Sequence, residues 1–263
     1  MTKAVVIIPA RFASRRLPGK PLLQDTGKTL LQHVVDQVRQ ATLVSRILVA
    51  TDDDRISSAC AGFGITAIRT SPSLPSGTDR CAAVAREVDE AVVVNVQGDE
   101  PEVKPAHIDK AIELASAEGV DIGTLAYPAP DAEHVADPNR VKVVFDHSGR
   151  ALYFSRWPIP FQRVDGLNLE NVTLNNRELP CSLAPQGRHF IHVGIYAFKR
   201  ESLLAMAQLP KAELEEAEGL EQLRALVNGF YIRVGVVRSG TGGIDTEEDY
   251  RAFVDRWKRS QKN

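Results

Sequence analysis

The chain has 263 residues, of which 43% are hydrophobic and 25% charged, a composition that excludes a disordered or collagen-like chain. With 32 Lys and Arg against 34 Asp and Glu, its net charge is −2, so there is no general electrostatic reason to bind nucleic acid or an anionic membrane. Three cysteines without a C-x-x-C pair argue against a zinc site and favour a reducing, cytoplasmic location, and no apolar run reaches the roughly 18–20 residues of a membrane span.

The first half of the chain alternates short apolar segments with segments of helical periodicity. Residues 4–8 predict a buried strand that Pro9 ends, and residues 30–41 predict a helix. Further strands are predicted at 46–51, 65–68, 91–96 and 122–126, and further helices at 56–63, 78–90 and 106–117. This alternation predicts βαβ units with right-handed crossovers, and ligands at the carboxyl ends of the strands.

The pattern changes after Tyr127. Residues 141–154 predict an antiparallel hairpin, and residues 161–189 are irregular and polar. A strand at 190–198, a helix at 213–227, a strand at 231–237 and a closing helix at 246–259 are predicted to follow. We therefore expect an α/β fold with a Rossmann-like, mostly parallel sheet flanked by helices, and a small antiparallel excursion.

The loop after the first strand is rich in cations. Arg11, Arg15, Arg16 and Lys20 follow residues 4–8 closely, and Gly19 would let the backbone approach a ligand. Arginine forks and a mobile lysine suit a polyphosphate, although the loop matches neither the Walker A nor the G-x-G-x-x-G pattern. A solvated, charged loop without a ligand is the alternative.

Two aspartates stand where a metal could bind. Asp99 follows the strand predicted at 91–96, directly after a glycine, where a hard cation could bridge to phosphate; a helix cap is an equal alternative. Asp245 follows a glycine-rich approach to the last helix, where capping by Asp245 or Thr246 is the better interpretation from the residues alone.

Ser76 and Arg80 lie at the start of the helix predicted at 78–90. A helix N-terminus can hold an anion or the edge of a base, because its first N–H groups have no partner within the helix. Plain capping by Ser76 or Thr78 is at least as good an interpretation.

Taken together, these segments resemble a known family. The chain contains VVIIPARFASRRLPGKPL, VATDD, SGTDR, NVQGDEP, VKVV, ALYFSR, HVGIY, LEQLR and GIDTEED, in that order. It thereby resembles the 3-deoxy-manno-octulosonate (Kdo) cytidylyltransferases over nearly its whole length. The resemblance implies a nucleotide-diphospho-sugar transferase fold in a single domain, 1–263, in which residues 140–200 form a substrate-binding and dimerisation excursion.

The resemblance also implies an activity and a site. The expected reaction joins CTP and Kdo to give CMP-Kdo and pyrophosphate with Mg²⁺, in a cytoplasmic homodimer that feeds lipopolysaccharide biosynthesis. The implied catalytic residues are Lys20, Arg16, Asp99 and Asp245, of which the two aspartates are the metal ligands. The residues implied for CTP are Arg11, Arg16, Lys20, Ser76 and Arg80, and those for Kdo are Gln97, Arg156, His192, Tyr196, Glu221 and Gln222.

Three alternatives remain open. A related cytidylyltransferase could act on another acidic 2-keto sugar, such as 8-amino-Kdo or sialic acid. A guanylyl- or thymidylyltransferase of the same superfamily is more distant. A catalytically silent CTP sensor is a different class; it would predict the loss of Lys20, Asp99 or Asp245, and all three are present.

Overall fold

Nine strands and nine α-helices lie along the residues that the computed structural model describes, 3–13, 16–161 and 189–261. The strands are Ala4–Ala10 (β1), Val44–Thr51 (β2), Thr66–Arg69 (β3), Val92–Asn95 (β4), Ile122–Pro128 (β5), Lys142–Phe145 (β6), Ala151–Ser155 (β7), Phe190–Lys199 (β8) and Ile232–Val236 (β9). The helices are Leu30–Val38 (α1), Asp54–Gly62 (α2), Gly77–Ala85 (α3), Pro105–Ala115 (α4), Ala132–Ala136 (α5), Arg200–Met206 (α6), Glu213–Glu218 (α7), Gln222–Val227 (α8) and Glu247–Ser260 (α9), and Lys20–Leu22 forms a 3-10 turn.

The chain divides into two units. The first contains residues 1–123, 194–209 and 241–263, and the second contains residues 124–193 and 210–240. Two of the four divisions fall inside β5 and β8, so each of these strands contributes to both units. The single domain expected over 1–263, with its 140–200 excursion, stays a prediction. Arg15, Cys181 and most of the polar stretch at 161–189 lie outside the described residues.

The first unit is built on a parallel sheet in the order β3-β2-β1-β4. All seven residues of β1 are buried, because β2 and β4 pair with its two edges and helices pack on the sheet. The chain leaves β1 towards β2 and returns on the other side to β4. The carboxyl ends of β1 and β4 therefore flank the topological switch point, where ligands bind in open α/β sheets.

The expected mostly parallel α/β sheet is confirmed, with one antiparallel addition in this unit. The part of β8 that belongs to the first unit pairs antiparallel with β4, with Asn95 opposite Tyr196. The sequence could not distinguish this pairing from a parallel one, because a buried strand has the same apolar pattern in both.

The prediction that Pro9 ends β1 is wrong. The strand continues to Ala10, and Pro9 pairs with Ala50 of β2. On the other edge, the pairing with β4 ends at Ile7. Proline lacks an N–H group and is tolerated where one edge of a strand has lost its partner.

The second unit contains the antiparallel excursion. Strands β6 and β7 form the predicted hairpin, with Val143 opposite Phe154, and β6 also pairs antiparallel with β8 through Lys142 and Ile191. The single helix predicted at 213–227 is wrong: Gly219 adopts φ of +63° and separates α7 from α8. Apolar periodicity continued through this glycine, and only its left-handed conformation revealed the break.

Among the described residues, no helix is long and apolar enough to cross a membrane.

Candidate active site

The loop after β1 folds back on itself. The amide of Gly19 donates to the carbonyl of Phe12 (3.1 Å), and Gly19 has φ of +70°, which glycine adopts without steric cost. The Phe12 ring packs against Gly19, and the Arg55 guanidinium of α2 lies 3.2 Å from the ring centroid. At the start of the loop, Arg11 donates to the carbonyl of Leu74. These contacts fix the conformation of the loop on both sides of the chain reversal that precedes Lys20.

Lys20 lies among oxygen atoms from distant parts of the first unit. Its Nζ is 2.6 Å from Oδ2 of Asp99, 2.7 Å from the carbonyl oxygen of Ile244 and 3.5 Å from Oδ1 of Asp245. The guanidinium of Arg16 lies 2.9 Å from Oδ1 of Asp245. The structure thus brings together all four residues to which the resemblance assigns catalytic roles.

Backbone contacts place Asp99 beside Lys20. A Cβ atom on Gly98 would lie 2.9 Å from the carbonyl oxygen of Pro9, so only glycine allows this approach of the backbone to β1. The amide of Ile244 donates to the carbonyl of Asp99 (2.8 Å), which fixes the segment that carries Asp245. Asp99 therefore does not act as a helix cap, because its carboxylate faces the ammonium of Lys20.

The capping expectation for the last helix is correct for Thr246. Its hydroxyl accepts from the amide of Asp249 (3.1 Å), and the Asp249 carboxylate accepts from the amide of Thr246 (2.9 Å), which forms a capping box. Asp245 is not needed as the cap, and its side chain, which is 49% exposed, pairs with Arg16 and Lys20.

A cavity of about 200 Å³ opens at this end of the first unit. It is lined by Pro9, Ala10, Arg11, Ala13, Lys20, Pro21, Gly77, Gln97, Gly98 and Asp99. Arg11, Lys20, Gln97 and Asp99 give it polar groups of both charges, as a site for a phosphate and its counter-ion requires.

Ser76 and Arg80 have structural partners in α3. Ser76 is the N-cap and accepts from the amide of Asp79 (3.1 Å), as the capping alternative proposed. Arg80 is fully buried; it lies 3.0 Å from Oδ2 of Asp52 and also donates to the hydroxyl of Thr70. Burial lowers the pKa of Arg80, and the Asp52 carboxylate opposes this effect. Arg80 therefore has no exposed surface with which to contact a base.

The sequence interpretation missed Glu100, although it directly follows Asp99. Glu100 is buried, and its Oε2 has no hydrogen-bond partner among the described residues. Burial, aided by the charge of Asp99, raises the pKa of Glu100 to about 8. The buried carboxyl group of Glu100 thus lies next to Asp99, which forms with Asp245 the acidic cluster of this site. Nothing in the neighbouring sequence distinguishes Glu100 from an exposed turn residue.

Arg156 of the second unit is held by backbone carbonyls. Its Nε donates to Glu218 (2.7 Å), and its two terminal nitrogens donate to Pro138 (3.0 Å) and Gly219 (3.4 Å). Glu221 is the N-cap of α8, and Gln222, its first residue, is buried. Arg156 thus joins the end of the hairpin to the end of α7, three residues before α8 begins.

The other residues implied for the sugar divide between the units. His192 lies in the second unit, with Nε2 2.9 Å from the hydroxyl of Thr124. Burial lowers the pKa of His192 to about 3, so this side chain is neutral near pH 7. Gln97 and Tyr196 lie in the first unit. The amide nitrogen of Gln97 donates to Oδ1 of Asn95 (2.8 Å).

The acidic cluster suits Mg²⁺. Asp99 and Asp245 offer carboxylate oxygens, which this ion prefers, and their side chains are 30% and 49% exposed. Among the described residues, no group of three or more His, Cys, Asp or Glu could hold a metal. Because Mg²⁺ commonly binds through one or two carboxylates together with substrate phosphates, this donor set fits an ion that arrives with a nucleotide.

Comparison with known proteins shows the family. Residues 5–235 match the family model described as Cytidylyltransferase. The chain is 45% identical to the 3-deoxy-manno-octulosonate cytidylyltransferase of Geobacter sulfurreducens over 253 residues, which cover 96% of this chain and 98% of the relative. It is also 45% identical to the enzyme of the same name from Geotalea daltonii, over 97% of this chain and 98% of that relative.

Solved structures agree with this assignment. A structure of CMP:2-keto-3-deoxy-manno-octonic acid synthetase complexed with CTP is 37% identical, with a TM-score of 0.85 over 98% of this chain and 99% of that one. A cytidylyltransferase from Leptospira borgpetersenii, 16% identical with a TM-score of 0.60 over 97% of this chain and 86% of that one, shares the fold. The chain therefore belongs to the cytidylyltransferase family and, within it, to the 3-deoxy-manno-octulosonate cytidylyltransferases.

Proposed function

We propose that this chain transfers CMP from CTP to Kdo and releases pyrophosphate. The observation that carries the proposal is the convergence of Lys20 and Arg16 on Asp99 and Asp245 at the switch point of the parallel sheet. The relatives of nearly equal length that bear the name of this reaction support the choice of CTP and Kdo.

The reaction needs charge neutralisation and positioning more than covalent help from the protein. The oxygen of the anomeric hydroxyl of Kdo forms a bond to the α-phosphorus of CTP and gives up its proton to solvent water. The bond from that phosphorus to the bridging oxygen of the β-phosphate breaks, and pyrophosphate leaves with the electron pair. Arg11, Arg16 and Lys20 hold the triphosphate in this proposal, and Ser76 and Arg80 shape the cytidine end.

Mg²⁺ belongs to the proposal as the cofactor. Asp99 and Asp245 would hold it, and it would neutralise the phosphate charge that grows as pyrophosphate leaves. The contacts of Lys20 with both carboxylates support this arrangement, because they place the two side chains within reach of a single cation.

Binding of Kdo is the role we propose for the six residues that the resemblance implies: Gln97, Arg156, His192, Tyr196, Glu221 and Gln222. Kdo carries a carboxylate, and a guanidinium recognises this group well. Arg156 uses one N–H of each guanidinium nitrogen on a backbone carbonyl, and two of its five N–H groups remain beyond those three bonds.

Release of pyrophosphate tests the proposal. The purified chain is incubated with CTP, Mg²⁺ and Kdo, and each component is omitted in turn. We expect release only when all three are present. Release with 8-amino-Kdo or sialic acid but not with Kdo would keep the reaction class and overturn the sugar. CTP binding without release in any mixture would indicate a nucleotide sensor.

We also propose a cytoplasmic homodimer that acts in lipopolysaccharide biosynthesis. Cys60 and Cys81 are buried and form no disulfide among the described residues, as a reducing compartment allows. The large hydrophobic side chains that are exposed among the described residues all belong to the second unit: Leu152, Trp157, Phe161, Leu214, Val227 and Val236. Light scattering should give about twice the chain mass of 28.8 kDa; a mass equal to one chain would overturn the dimer.

A further inference from the structure

Lys142, the first residue of β6, is a lysine with no exposed surface. Its ammonium donates to the carbonyl oxygens of Asp137 (3.0 Å) and Arg156 (2.5 Å). Burial disfavours the charged amine and lowers the pKa of Lys142 to about 8, while the charges of Asp137 and Glu218 partly restore it. The proposed reaction does not use this charge, yet the fold buries it at a cost in free energy.

Arg156 extends the contacts of Lys142 to a second segment of the chain. Its backbone carbonyl accepts from Lys142, and its guanidinium donates to the carbonyls of Pro138, Glu218 and Gly219. Lys142 therefore fixes the backbone carbonyl of Arg156, and three other carbonyl oxygens fix the rotamer of its side chain.

Glu218, the last residue of α7, completes the network. Its Oε1 accepts from the hydroxyl of Ser155 (2.6 Å) and its Oε2 accepts from the amide of Arg156 (2.8 Å). Gly219 then turns the chain with φ of +63°, and Glu221 follows as the N-cap of α8. One connected set of charged hydrogen bonds thus joins the end of the hairpin to the turn that begins α8.

We propose that Lys142 and Glu218 are positioning residues for the acidic sugar, which hold Arg156 and the turn at 219–222 in the arrangement that binds it. The inference rests on the proposed function, which assigns Arg156, Glu221 and Gln222 to the sugar side. Lys142 acts through Arg156, because its own side chain is fully buried. His189 also faces this network: burial and the charge of Lys142 lower the pKa of His189, which leaves Lys142 as the cation there.

Kinetics of two variants test this role. Lys142→Met keeps the length of the side chain and removes its charge, and Glu218→Gln removes the carboxylate. We expect each to raise KM for Kdo at least tenfold while KM for CTP stays within twofold of the wild type. Lys110→Met, which changes an exposed lysine paired with Glu113, is the matched control and should change neither constant. Equal effects on both substrates, or no effect on KM for Kdo, would overturn the positioning role.

Amide hydrogen exchange gives a readout that does not depend on turnover. The amide of Arg156 donates to Glu218, and that of Trp157 donates to the Ser155 hydroxyl (2.9 Å), so both report on the network. We expect faster exchange at these amides in both variants, with β1 unchanged. Unchanged exchange would overturn the network even if the wild type does not use Kdo, whereas wild-type inactivity with Kdo would overturn only the proposed function. If Lys142→Met does not fold, Glu218→Gln carries both tests.

Discussion

The ammonium of Lys20 and the carboxylate of Asp99 lie 2.6 Å apart, although 79 residues separate them in the chain. Lys20 follows β1 and Asp99 follows β4, and these two strands are neighbours in the parallel sheet. The topology therefore brings a group suited to phosphate next to a group suited to a divalent cation.

Removal of the Asp99 charge should abolish turnover without unfolding the chain. Asp99→Asn keeps the shape of the side chain, and its backbone bond to Ile244 does not involve the carboxylate. We expect kcat to fall about 1000-fold, because a lost metal ligand removes several kcal/mol of transition-state stabilisation. Pyrophosphate release and a thermal melt are the measurements. Near-normal activity would remove Asp99 from the metal site.

Loss of the Lys20 ammonium should weaken productive binding of CTP. Lys20→Met leaves Asp99 and Asp245 without the cation they share. We expect kcat/KM for CTP to fall roughly 100-fold, in the range that one preorganised charged donor supplies. Steady-state kinetics with varied CTP measure this, and Lys110→Met is again the control. An unchanged kcat/KM would mean that the charged loop after β1 is solvated and does not bind the nucleotide.

Gly98→Ala should move the acidic cluster away from β1. The added Cβ would lie 2.9 Å from the carbonyl oxygen of Pro9, so one of the two segments has to shift. We expect at least a tenfold loss of kcat, since a small displacement of catalytic groups is costly. Gly62→Ala is the control, because a Cβ there would meet no atom within 4 Å. Similar kinetics of both variants would mean that the close approach is unimportant for turnover.

The buried pair of Arg80 and Asp52 should matter for stability. Asp52→Asn leaves the buried guanidinium without its counter-charge, and we expect it to lower the free energy of unfolding by about 3–5 kcal/mol. Arg80→Met replaces the charge with an apolar chain and should cost less. Chemical denaturation measures both. If Arg80→Met instead keeps full stability and loses CTP binding, Arg80 contacts the nucleotide directly.

His192 should make stability depend on pH. Burial lowers its folded-state pKa from 6.5 to about 3, so between these values the unfolded chain binds a proton that the native chain does not. Native stability therefore falls as pH decreases from about 6.5 to 3. His192→Gln lacks this dependence, so its Tm should approach that of the wild type as pH falls from 7 to 4. The exposed His147→Gln is the control, and a Tm difference that stays constant with pH would contradict the prediction.

The alternation of strands and helices could be predicted because burial on a sheet or a helix imposes periods that a short window reveals. The charged residues after β1 and Asp99 after β4 could be located for the same reason, since the ends of these strands are local features. The prediction at Pro9 was wrong because the strand continues along one edge only, and the prediction at 213–227 was wrong because Gly219 takes a conformation that periodicity does not record.

The α/β class and the positions of the acidic and basic segments follow from the sequence because they depend on residues close together in the chain, and the family follows from motifs whose order along the chain is visible without a structure. The packing of distant segments was needed to show that Lys20, Asp99 and Asp245 share one cluster, and that Thr246 rather than Asp245 caps α9. It also decided that Glu100 and Lys142 are buried. Contacts across tens of residues and the desolvation of a charge depend on how distant segments pack, and no local pattern encodes either.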